Sequence, residues 1–69
     1  MTANEVEELV RSVIVHGGLP FAILSVIESP VGWNIHVRAG TGGVIRFTVF
    51  AGRPLSMRVA IQERLEAEL

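Results

Sequence analysis

Trp33-Asn34-Ile35-His36-Val37-Arg38, then Ala39-Gly40-Thr41-Gly42-Gly43, then Val44-Ile45-Arg46-Phe47-Thr48-Val49: the fold turns on this stretch. Apolar residues occupy 33, 35 and 37, and again 45, 47 and 49, while polar residues fill 34, 36, 38, 46 and 48. Period two on both sides of a glycine-rich turn is the pattern of a half-buried antiparallel hairpin. Placing Val37 opposite Ile45 sets Ile35 against Phe47 and Trp33 against Val49 on one face. The other face then pairs His36 with Arg46 and Asn34 with Thr48, and Gly40-Thr41-Gly42 forms a three-residue loop of a common kind, while a two-residue shift would keep the faces and change the pairs.

Upstream of the hairpin, Phe21-Ala22-Ile23-Leu24-Ser25-Val26-Ile27-Glu28 reads as a first strand. It does not alternate. Phe21, Ile23 and Ile27 point one way and Ala22, Leu24 and Val26 the other, so the strand is apolar on both faces, as strands buried on both faces are. Ser29-Pro30-Val31-Gly32 joins it to the hairpin, with proline second and glycine fourth as a tight turn prefers.

The flanks are helical. Thr2…Glu5 and Asn4…Glu7 both have the spacing of a capping box, and Glu5, Glu7 and Glu8 lie where a helix N-terminus favours negative charge. Val6, Leu9, Val10, Val13 and Ile14 then form one apolar stripe, which predicts a helix over Asn4 to His16. Gly17-Gly18 supplies a left-handed cap and Pro20 prevents continuation. At the other end Pro54 suits a first helical position. Met57, Ala60, Ile61, Leu65 and Leu69 make the expected buried stripe of the last helix, with Leu55 and Val59 beside it.

The element order is therefore α-β-β-β-α. One domain over residues 1–69 is expected, of the α+β class, with a three-stranded antiparallel meander and both helices on the face that carries Trp33, Ile35, Val37, Ile45, Phe47 and Val49. The opposite face carries Asn34, His36, Arg38, Arg46 and Thr48, plus one apolar triplet of the first strand. Exposed, such a triplet beside cations marks an interface. Phe21, Ile23, Leu24, Val26 and Ile27 are accordingly the candidate interface residues.

Composition bounds what this domain can be. At 69 residues a chain buries only about 60% of its unfolded surface and is marginal alone. It has no cysteine, which excludes disulfides and thiolate metal sites, and two histidines, too few for a structural zinc site. No metal and no cofactor is expected. With 49% hydrophobic residues disorder is not expected either, and a partner chain remains as the stabiliser. The acidic, polar N-terminus does not resemble a targeting segment, and no apolar run reaches the ~18–20 residues of a bilayer span. A cytoplasmic protein without membrane contact is the expectation.

The net charge is −1, but its distribution is uneven. All acids are glutamate and, Glu28 apart, lie near the two ends. Ser29 to Gln62 contains Arg38, Arg46, Arg53 and Arg58 and no acid. Ordinary surface charge is one reading of this stretch. An anion-binding or nucleic-acid-binding surface that includes His36 is the other. His36 is the only residue with the chemistry of a catalytic base, and no carboxylate on its strands can orient it, so no enzymatic role is expected. His16 suits the C-terminal end of its helix. The glycine-rich turn lacks the lysine and the following helix of a phosphate loop.

In order and length the chain resembles the double-stranded RNA-binding domain. That resemblance implies phosphate contacts at the start of the last helix, where the family carries a lysine cluster and this chain reads Arg53-Pro54-Leu55-Ser56-Met57-Arg58. The loop between the first two strands reads Ser29-Pro30-Val31-Gly32 in place of the family's Gly-Pro-x-His. His36 is also similar in placement to the single sheet histidine of a small bacterial toxin of the same topology that cuts messenger RNA. Two function classes follow: a homo-oligomeric or protein-binding domain, and a nucleic-acid or anion-binding module.

Overall fold

A computed structural model describes all of residues 1–69. Helix α1 covers Ala3–Gly17, strand β1 Phe21–Ser29, β2 Gly32–Ala39, β3 Val44–Phe50, and helix α2 Pro54–Glu66. The strands form one antiparallel sheet in the order β1-β2-β3, which is the expected α+β meander.

Of the two possible caps, Thr2 is the one used. Its hydroxyl accepts from the Glu5 N–H at 3.2 Å, and the Glu5 carboxylate accepts from the Thr2 N–H at 2.8 Å. This reciprocal cap starts α1 one residue before the expected position. Glu5 is exposed, and its carboxyl is held below the ordinary glutamate value mainly by the bond from the Thr2 backbone. At the far end Gly18 takes the left-handed conformation, φ 59°, and the Leu19 N–H returns to the Ile14 carbonyl at 2.9 Å.

Of the registers that keep the two faces, the hairpin takes the one with Val37 opposite Ile45, Ile35 opposite Phe47 and Trp33 opposite Val49. Its turn closes with the Gly42 N–H on the Ala39 carbonyl at 2.9 Å, and Gly42, φ 99°, supplies the positive φ. Trp33, Ile35, Val37, Phe47 and Val49 join Val6, Val10 and Val13 of α1 and Met57, Ile61 and Leu65 of α2 in one buried cluster, so both helices cover the same sheet face. Leu9, a member of the expected buried stripe, is only half-buried at the margin of this cluster.

Two expectations are corrected. Neither apolar triplet of β1 survives, because the strand bulges between Ile23 and Ser25. Ile23 pairs with Val37, Ser25 with His36 and Val26 with Ile35, so the inserted Leu24 reverses the parity of everything after it. Phe21, Ile23 and Val26 thus line up with the core rows, and Ala22 and Ile27 with the open face. In α2 the buried stripe is narrower than the sequence offers: Met57, Ile61 and Leu65 alone are buried, while Ala60, Leu69, Leu55 and Val59 are exposed. Leu69 lies beyond the helix end, and four-residue spacing aims only the three buried side chains straight at the sheet.

Candidate functional site: the open sheet face

The uncovered face is built from the even positions of β2 and β3 and the matching positions of β1. Across the sheet its rows are Ala22, Arg38 and Val44; Ser25, His36 and Arg46; Ile27, Asn34 and Thr48; and Ser29, Gly32 and Phe50. The middle is polar: Thr48 donates to Asn34 Oδ1 at 2.8 Å, and Asn34, His36, Arg46 and Thr48 line a shallow hollow. Apolar side chains flank it. Phe50 is 70% exposed, Ile27 53%, Val44 49% and Leu24 46%. No acid stands on this face, because the only acid of the strands, Glu28, falls in the row of Trp33 and Val49 on the helix side. Arg38 and Arg46 make no ion pair; the three ion pairs present are Arg11 with Glu7, Arg11 with Glu8, and Arg64 with Glu68.

The structure brings together only part of the expected cationic set. His36, Arg38 and Arg46 share the open face. Arg53 is the exposed N-cap residue of α2, with its carbonyl accepting from the Met57 N–H at 3.0 Å and its side chain making no capping bond. Arg58 belongs elsewhere. Half-buried, it donates to Ser12 Oγ at 2.9 Å and to His16 Nδ1 at 3.2 Å, tying α2 to α1 on the helix layer. Arg53 is thus exposed without a side-chain partner, whereas Arg58 is engaged with α1. His16 stands in the last turn of α1 as expected, with Nδ1 3.2 Å from both Ser12 Oγ and the Arg58 guanidinium.

Of the candidate interface residues, Phe21 is buried in the core, and Ile23 and Val26 are half-buried against it. Leu24 and Ile27 are left on the open side. Sequence reasoning missed Val44 and Phe50 as their counterparts. The signal was present, since 44 and 50 have the same parity as Arg46 and Thr48.

The face offers no metal site: no group of three His, Cys, Asp or Glu is placed to hold an ion. No helix is long and apolar enough to cross a membrane. Set against protein-family models, curated proteins and solved structures, the chain matches none.

Proposed function

We propose that the chain is a small non-enzymatic domain that acts by self-association through its sheet and then presents the open face to a protein partner. The observation that carries this reading is the uncovered apolar rim, Leu24, Ile27, Val44 and Phe50, around a polar centre on a chain with a small core. Side chains of this size each favour burial by about 1.5–3 kcal/mol, and apolar surface of this kind on a small domain marks an interaction site. A catalytic reading has less support. The row neighbours of His36 are Ser25 and Arg46, and no carboxylate on the face can orient the ring as a base. Sedimentation equilibrium at micromolar concentration tests the proposal. A mass well above 7.5 kDa is expected, and a clean monomer overturns self-association.

A second reading, the binding of nucleic acid or another polyanion, is favoured by one observation: His36, Arg38 and Arg46 share a face that has no acid. Such binding would fall steeply with salt, because each phosphate contact releases counterions. Arg38→Glu with Arg46→Glu should abolish it, whereas Arg58→Ala should act through stability alone. No mobility shift with duplex or single-stranded RNA or DNA at low salt removes this reading.

A further inference from the structure

The two edges of the sheet are not equivalent. β1 carries the bulge at Leu24 and runs into Pro30, and both features hinder the regular addition of another strand. β3 has neither a bulge, a proline nor a lysine over Val44–Phe50. Its free hydrogen-bonding groups can be assigned. Ala39 N–H donates to the Gly43 carbonyl at 2.7 Å and Ala51 N–H to the Val31 carbonyl at 3.1 Å. Alternation along an antiparallel ladder then directs the N–H and C=O of Ile45, Phe47 and Val49 toward β2. Those of Val44, Arg46, Thr48 and Phe50 face outward, and no turn, loop or cap bond takes them up.

Resting on the self-association reading above, we infer that a second copy of this chain pairs with β3 in antiparallel fashion, about a two-fold axis through Phe47, so that one sheet runs through both molecules. The register follows from the outward groups and the charges. Only even positions can exchange hydrogen bonds across this edge. A register centred on Arg46 would set that guanidinium against its own copy. One centred on Thr48 would leave Val44 without a partner on the strand and set Phe50 against the partner's Arg46. The register centred on Phe47 pairs the whole strand: Arg46 lies against the partner's Thr48 and Val44 against the partner's Phe50. Two of the exposed apolar side chains of the open face thereby become cross-strand neighbours.

The helix layer leaves room for this. Arg64 lies over the Phe47 ring, 5.8 Å from guanidinium carbon to ring centroid, so its side of α2 overlooks β3. Ala60 and Ala67, four residues before and three after Arg64, share that side, and both are small and exposed. The charge of Arg64 near the axis is countered by its ion pair with Glu68. A face-to-face stack of two open faces is less favourable. It would set His36, Arg38 and Arg46 against their own copies, with Glu28 on the wrong side of the sheet to compensate.

The test separates this edge from the open face. In Thr48→Pro the lost N–H points outward, so the ladder to β2 is kept while the added strand loses its central bonds. Dimerisation should weaken about 100-fold, with the far-ultraviolet circular dichroism unchanged. Leu24→Glu and Ile27→Glu should leave the dimer intact. Independently, Val44→Cys with Phe50→Cys should give a covalent dimer on mild oxidation. Within one chain these positions are about 20 Å apart, too far to bridge. A wild-type monomer overturns the self-association reading itself. A dimer whose dissociation constant Thr48→Pro leaves unchanged, that Leu24→Glu dissociates, or that fails to cross-link through positions 44 and 50 overturns the β3 edge and leaves self-association standing.

Discussion

A carbonyl oxygen decides the residue at position 32. A Cβ on Gly32 would stand 2.1 Å from the Val49 carbonyl oxygen and 2.8 Å from the Ala51 nitrogen, both backbone atoms that cannot step aside. Gly32→Ala is expected to cost ~3 kcal/mol or more, beyond the usual overpacking range, in a denaturant titration. Gly52→Ala meets nothing within 4 Å and should change stability by less than about 0.5 kcal/mol. In the sequence Gly32 is legible only as the last residue of a turn. The contact that forbids a side chain comes from a strand far along the chain, and no local spacing rule contains it. Glu5 is the opposite case, fully local and legible from the Thr2…Glu5 spacing. Its carboxyl is held below its unfolded value, so its contribution to the start of α1 is complete above the ordinary glutamate range. That contribution is lost as pH falls through the lowered folded value. Amide protection in the first turn of α1, measured against the intrinsic exchange rate at each pH, should therefore fall on acidification. In Glu5→Gln, which keeps the bond but cannot titrate, the rate should lose this component, and an unaltered acid response would discount the carboxyl.

Legibility varies among the elements with how sharply apolar and polar positions differ. β2 and β3 alternate strictly, so the shared face of His36, Arg38 and Arg46 and the burial of Trp33, Ile35 and Phe47 could be read directly, whereas a two-residue shift of register would have kept the same faces. β1 is apolar at consecutive positions, and a bulge at Leu24 leaves no mark in such a run, because either parity looks acceptable before and after it. In α2 the sequence supplies more apolar residues than a single contact line can bury, so Ala60 and Leu69 read as core and are not. The contacts of Arg58 were hidden for another reason: they are made to Ser12 and His16 of α1, between elements distant in sequence. β3 itself gives a paired test. Phe47 is buried under α2 with Arg64 over its ring, whereas Phe50 on the same strand lies 70% exposed. Phe47→Ala should cost about 3–5 kcal/mol, most of the stability of a domain this small. Phe50→Ala, measured in dilute monomer, should cost less than about 1 kcal/mol. Comparable losses at the two sites would contradict the division of the sheet into a core face and an open face.

For the whole molecule, size and the free edge meet in one measurable quantity, the dependence of thermal stability on protein concentration. Twelve buried side chains form the entire core of 69 residues, and no disulfide or metal cluster adds to it. A domain with so little buried surface gains from a contact that only the folded state can make, and association is such a contact. Above the dissociation constant each tenfold rise in concentration stabilises the folded dimer by about 1.4 kcal/mol, or about 0.7 kcal/mol per chain. For a domain of this length about 1 kcal/mol moves the midpoint by ~4–8 °C, so Tm should rise by roughly 3–6 °C per tenfold concentration. Calorimetry of the wild type from ten micromolar to one millimolar reads this slope. Thr48→Pro should lie below the wild type at every concentration and lose the slope at the dilute end, because the monomer fold is kept and its association is weakened. Leu24→Glu should keep the wild-type slope. A wild-type Tm that does not move with concentration would mean that this small core stands alone, and self-association would then have no part in its stability.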